Sequence, residues 1–147
     1  MRLVIDSREQ TPLKFSRCKS INEKLIKKLD VGDYSVEGYE DEICIERKGV
    51  LDLFGTLGKG HARFKKELER AKDLKFFGLV IEETYGNVRN KTFKDAFRSK
   101  MRGYVITKLI HTLQIKYNVH VMFAKDRWEA ARMVEQTLLA YVRLKEK

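Results

Sequence analysis

Proline and cysteine are scarce in this 147-residue chain: Pro12 is the only proline, and Cys18 and Cys44 are the only cysteines. With no proline-rich or low-complexity stretch and no internal repeat, nothing in the sequence marks a linker between two domains. The length and the 43% hydrophobic content allow one substantial core and leave no room for a second, so the expectation is a single domain over residues 1–147. Neither cysteine lies at zinc-ligand spacing, and His61, His111 and His120 add none. Cys44 falls inside a β-branched run, where a small buried hydrophobe is the expected role. No apolar run approaches the length of a membrane span, and Met1-Arg2-Leu3-Val4 leads into a strand without a signal-peptide pattern. Together with the few cysteines, this predicts an intracellular protein.

Acidic residues are outnumbered as well. Lys and Arg total 31 against 21 Asp and Glu, a net charge of +10, which points to a polyanionic partner. The excess is concentrated: residues 59–102 hold 13 Lys and Arg against 6 Asp and Glu, or +7. That stretch is the expected phosphate-contacting surface, although Lys65, Lys66, Lys72 and Lys75 are also what a solvated helix face would carry.

The acids that are present form a pattern. Asp33 opens a short extended stretch, Gly38-Tyr39-Glu40-Asp41 reads as a turn, and Ile43 to Arg47 returns as a partner strand. Side chains alternate along a strand, so Glu46 and Lys48 share one face and Arg47 takes the other, with Asp33 brought within reach across the hairpin. Two carboxylates and an amine then meet. Hard carboxylate oxygens suit Mg2+ or Mn2+, and a cation so held polarises a phosphate and acidifies a water. Surface charges joined by a weak cross-strand salt bridge are the plainer alternative for this spacing alone.

At the N-terminus the apolar Leu3-Val4-Ile5 ends abruptly in Asp6-Ser7-Arg8-Glu9. Three blocks, Ile5-Asp6-Ser7-Arg8-Glu9, Gly32-Asp33 and Glu46-Arg47-Lys48-Gly49-Val50-Leu51-Asp52, closely resemble the nuclease domain of the XPF, Mus and Hef structure-specific endonucleases, whose signature is V/I-D-x-R-E, then G-D, then E-R-K-x-x-x-D. The likeness extends through Gly60-His61-Ala62-Arg63-Phe64 and Met101-Arg102-Gly103-Tyr104. Two departures stand out: Glu67 falls where the family commonly has glutamine after the arginine, and no tandem helix-hairpin-helix module follows before Lys147.

The resemblance implies a set of roles. Asp33 and Glu46, with Asp6, would hold Mg2+ or Mn2+; Glu9 would complete the acidic site and Asp52 support it; Lys48 would be the catalytic lysine. Arg8 and Arg47 would clamp phosphate or hold the acids in place, and Arg63, with Lys65 and Lys66 on the same basic helix, would contact DNA. The implied activity is metal-dependent hydrolysis of branched or flapped DNA, leaving a 5′-phosphate and a 3′-hydroxyl. A Holliday-junction resolvase is the nearest rival. A non-catalytic DNA-binding scaffold subunit is a further alternative, disfavoured because Asp6, Glu9, Asp33, Glu46, Lys48 and Asp52 are all retained. A homodimer and a separate DNA-targeting partner protein are also implied.

The remaining elements predict an α/β fold with a central mixed sheet flanked by helices, of the restriction-endonuclease-like type. Ser20-Ile21-Asn22-Glu23 reads as a capping box opening a helix to about Leu29. A helical region from Val50 is interrupted by Gly55, Gly58 and Gly60, as a flexible loop at the DNA or a plain turn. Further helices are expected over His61–Lys72, from Thr92 with Phe93, Ala96 and Phe97 as its apolar side, and over Met101–Tyr117. Phe76–Ile81 and Val119–Phe123 read as strands, with Glu82 and Glu83 as solvated strand-end charges. A last helix, Asp126–Lys145, carries two apolar stripes, and the surplus stripe suggests dimerisation through it unless one core takes up both.

Overall fold

The computed structural model describes all of Met1–Lys147. Six strands form one sheet: β1 (Arg2–Asp6), β2 (Glu23–Lys27), β3 (Tyr34–Val36), β4 (Ile43–Lys48), β5 (Phe76–Ile81) and β6 (Val119–Phe123). Their spatial order is β2-β1-β3-β4-β5-β6. β3 pairs antiparallel with both β1 and β4, whereas β1 with β2 and β4 with β5 and β6 run parallel. The helices are α1 (Val50–Gly58), α2 (His61–Ala71), α3 (Tyr85–Asn90), α4 (Gly103–Tyr117) and α5 (Arg127–Lys145). The α/β class and the mixed, helix-flanked sheet are as the sequence predicts.

Strand alternation separates two cores. Cys44, Leu79 and Ile81 face one side, where they meet Leu53, Phe54, Phe64, Leu68, Ile106 and Ile110 from α1, α2 and α4. Leu3, Ile5, Ile43, Ile45 and Val80 face the other, where α5 supplies Ala130, Ala131, Val134 and Leu138. β5 is covered on both faces, which is why it reads as an unbroken apolar run. Cys44 is buried, as its strand setting predicts, and burial pushes its thiol up to about 12.

The capping-box helix is not formed. Glu23–Lys27 is instead an edge strand, parallel to β1 with Arg2 opposite Glu23. The Ser20 hydroxyl donates to the buried Glu135 carboxylate at 2.6 Å, and Glu23 pairs with Arg2 at 3.0 Å, so neither caps a helix. The outer edge of β1 needs hydrogen-bond partners, and this demand overrides local helix propensity. Lysines at positions 24 and 27 then charge the exposed edge, a common guard against edge-to-edge pairing.

Two further expectations change. No α-helix begins at Thr92; only a 3-10 turn, Ala96–Arg98, forms there, because Lys91 (φ 57°) ends α3 and Asp95 (φ 63°) is left-handed as well. Phe97 is consequently 84% exposed instead of packed. α1 runs unbroken through Gly55 to Gly58, so the glycines form no flexible loop and only Lys59 and Gly60 make the turn to α2. On α5, Met133, Tyr141 and Val142 pack on the same core as the first stripe, leaving Leu144 as its most exposed large apolar residue. Of the surplus stripe, Ala130 is buried and Met133 half-buried, while Ala140 and Leu144 are exposed.

Gly103 opens α4 where the chain passes close against α3. A β-carbon there would lie 2.2 Å from the Val88 carbonyl oxygen and 2.3 Å from that of Arg89. Because both obstacles are backbone, Gly103→Ala is expected to destabilise the fold by about 1–3 kcal/mol or more, read as a lowered urea midpoint. An unchanged midpoint would show that α3 and α4 part freely.

Candidate active site

The ends of β1, β3 and β4 come together through backbone hydrogen bonds around Asp33. Its N–H donates to the Ile45 carbonyl at 2.9 Å, and its own carbonyl accepts from Asp6 N–H at 2.8 Å. Gly32, just before it, sits at φ +80° with its α-carbon pressed on β4: a β-carbon would be 3.2 Å from Cys44 Cβ and 3.3 Å from Ile45 O. Glycine is the residue that meets both demands.

Asp6 and Asp33 are held differently. The Asp6 carboxylate accepts from Leu29 N–H at 2.8 Å and from Arg8 Nε at 3.0 Å. Burial alone pushes its carboxyl up, but the bonds from Arg8 and Leu29 outweigh it and the group stays below the usual aspartate value. Asp33 has one compensating donor, Arg47 N–H at 2.8 Å. Burial dominates there and raises the carboxyl to about 6.

Glu46 is 8% exposed, with Lys48 Nζ 3.4 Å from its Oε2 and Glu67 of α2 on the same cavity. Burial and the facing Glu67 push Glu46 well above the ordinary value, while Lys48 works the other way. Arg47, on the opposite strand face as the alternation predicts, is saturated by Glu9 (3.1 and 3.3 Å), Glu82 (3.0 Å) and Thr11 (3.0 and 3.1 Å). Glu82 is therefore a paired, largely covered residue and not a solvated strand-end charge.

Asp6, Arg8, Glu9, Asp33, Glu46, Glu67 and Arg70 line one open cavity of about 280 Å³. Lys48 meets it through Glu46 and also lies 5.6 Å from the Phe64 ring centroid. Asp52 points elsewhere, into a neighbouring groove with Lys59, Arg98 and Lys100. Arg63, Lys65 and Lys66 are exposed on α2 outside the cavity wall. Asp30 and Val31, just before Gly32, also line the cavity, and with Glu67 and Arg70 they are the wall residues that sequence reasoning gave no role. For Glu67 and Arg70 the signal is their i, i+3 spacing on α2 with Phe64, Leu68 and Ala71 turned to the core, which leaves one flank of the helix facing the strand ends.

No group of three or more His, Cys, Asp or Glu side chains converges as a ready coordination cluster. A hard divalent cation needs less, since Mg2+ takes one or two protein carboxylates and keeps several waters. Asp33 and Glu46 supply two such oxygen donors on one cavity, and both hold protons more tightly than usual, first because they are buried and then because other carboxylates stand near them. The donor set fits Mg2+ or Mn2+.

A comparison with protein families matches residues 5–137 to the ERCC4 domain. The chain belongs to the ERCC4 domain family. The likeness drawn from the Asp6, Asp33 and Glu46 blocks is thereby borne out. Among solved structures, this ERCC4 domain is similar to XPF from Aeropyrum pernix, with a TM-score of 0.74 and 22% identity over 99% of this chain and 68% of that one. XPF from the same organism in complex with DNA superposes with a TM-score of 0.72 and 22% identity, covering 97% of this chain and 65% of that one. The ERCC4 domain thus spans about two-thirds of the length of these structures, and at this identity the likeness shows the fold. A search of curated proteins gave no match.

The raised Asp33 carboxyl has a consequence for stability. Between the ordinary aspartate value and about 6, the folded chain holds a proton that the unfolded chain has lost. Stability therefore falls as pH rises through that window and levels above it. Asp33→Asn keeps an acceptor for Arg47 N–H and removes the charge. It is expected to be about 1–3 kcal/mol more stable than wild type at neutral pH, with a flatter profile between about pH 4 and 6, measured by urea unfolding. A less stable variant at neutral pH would mean the charge is fully compensated.

Proposed function

We propose that this ERCC4 domain is a metal-dependent, structure-specific DNA endonuclease acting at branched or flapped DNA, with Mg2+ or Mn2+ as its cofactor. The observation that carries the reading is the gathering of Asp6, Asp33, Glu46 and the Lys48 ammonium at the ends of three strands, beside a cavity open to a substrate. DNA is favoured as the substrate by the net charge of +10 and by the capture of the related Aeropyrum pernix XPF with DNA.

Asp33 and Glu46 would hold the cation, which when bound would polarise the scissile phosphate and acidify an attacking water. Asp6 aligns the β1 end: its carboxylate is fixed by Leu29 N–H and keeps Arg8 beside the cavity, with 61% of the Arg8 side chain exposed for a phosphate. Lys48 donates toward negative charge developing on phosphorus or orients the attacking water from its place beside Glu46. Arg47 has its donors committed to Glu9, Glu82 and Thr11, so in this reading it braces the site from behind and holds Glu9 at the cavity wall. Asp52 supports the first turn of α1, and Arg63, Lys65 and Lys66 meet phosphates outside the cavity. Phosphate contacts carry little sequence information, so selection is by DNA shape. The products would be a 5′-phosphate and a 3′-hydroxyl.

A homodimer and a DNA-targeting partner protein complete the reading, with repair or recombination of DNA as its setting. The exposed half of the second stripe, Ala140 and Leu144 near the outer end of α5, is the surface this reading gives to self-association. No helix of the chain is long and apolar enough to cross a membrane.

The test is cleavage of end-labelled flap, splayed-arm, four-way-junction and linear duplex DNA with Mg2+, Mn2+ or EDTA. Metal-dependent nicking near the branch is expected, reduced about 10²-fold or more by Asp33→Ala or Lys48→Ala. Preferential cutting of the four-way junction would indicate a resolvase, and tight binding without cutting under every metal would indicate a scaffold.

A further inference from the structure

The segment joining α3 to α4 is folded tightly yet turns an aromatic ring to solvent. Phe93 is buried and packs edge-on against Phe54, with ring centroids 5.1 Å apart. The Lys91 ammonium donates to the Ser99 carbonyl and closes the loop, and the close seat of Gly103 on α3 fixes its far end. Between these anchors the 3-10 turn holds Phe97 at 84% exposure. Residues 91–102 also carry Lys91, Lys94, Arg98, Lys100 and Arg102 against a single acid, Asp95. Arg98 and Lys100, with Lys59, line a groove of about 850 Å³ whose floor includes Phe54, Leu57 and Met101. Asp52, in the first turn of α1 and four residues after Lys48, lines the same groove.

We propose that Phe97 is a stacking platform for an unpaired DNA base, with Arg98, Lys100 and Lys59 holding the phosphates of that strand along the groove. The chemistry follows from the combination. A basic track neutralises a backbone, and an aromatic face accepts any base once it is out of a duplex. Ile115 is just as exposed, at 86%, but has no π face to offer. An unpaired strand is what a flap or splayed arm presents beside its branch point, so the platform gives the enzyme a contact that intact duplex cannot make. This inference rests on the DNA-acting reading above for its ligand.

Binding of a fluorescent oligothymidylate of about ten nucleotides, and of a duplex of equal length, tests it by anisotropy for wild type, Phe97→Ala, Phe97→Leu and Phe97→Trp. The side chain is exposed, so all four proteins should melt alike. Phe97→Ala and Phe97→Leu are expected to weaken single-strand binding about 5- to 100-fold, Phe97→Trp to retain it, and duplex binding to stay unchanged throughout. Wild-type affinity in Phe97→Leu would overturn the proposal and mark the ring as a plain apolar contact, such as one for a protein partner. Equal weakening on both DNA forms would overturn it too. A wild type that binds neither form while nicking branched DNA would sink the platform alone; one that neither binds nor cuts any DNA would remove the DNA-acting reading beneath it.

Discussion

Two backbone hydrogen bonds at Asp33, one accepted from Asp6 N–H and one donated to the Ile45 carbonyl, join the ends of three strands into a single platform. The chemistry suggested by the fold depends on that junction. β3 is only three residues long, and it is the antiparallel element between β1 and β4. Without it, Asp6 and Glu46 would sit on separate parallel units and no common cavity would exist. Gly32 suits the junction, since its positive φ strains any larger residue and β4 would have to give way by a few tenths of an ångström.

Bringing carboxylates together costs free energy, and the chain distributes that cost unevenly. Asp6 is compensated by Arg8 and a backbone N–H, while Asp33 and Glu46 are left with raised proton affinity. Burial is the first cause of both shifts, and perturbed carboxyls gathered in one cleft mark a candidate site. The opposite strand face carries the inverse arrangement, in which Arg47 is saturated by Glu9, Glu82 and Thr11. One side of β4 is therefore a strut and the other a site, a division imposed by the two-residue period of a strand.

That period also explains how much was readable in advance. The hairpin, the shared face of Glu46 and Lys48, and the opposite face of Arg47 follow from local rules, as do β5, β6 and the Asp126-capped α5. The failures occur where distant groups decide. Ser20 and Glu23 suit a helix cap, yet Glu135, 115 residues from Ser20 in sequence, claims the serine, and β1 claims the strand. The helix expected at Thr92 is lost to left-handed residues at Lys91 and Asp95, which no apolar pattern announces. α3 was missed because its six residues are too few to show a period, although Thr84 caps it. Glu67 gained its place beside Glu46 only when α2 folded over the strand ends.

The central claim is that Asp33 and Glu46 together form a divalent-cation site. It is tested most directly by calorimetric titration of Mn2+ into wild type and Glu46→Gln without DNA, where binding is independent of turnover. The account predicts saturable binding to the wild type that weakens at least about tenfold in the variant, a loss of about 1.4 kcal/mol. Equal affinity in both proteins would place the cation elsewhere and contradict the account.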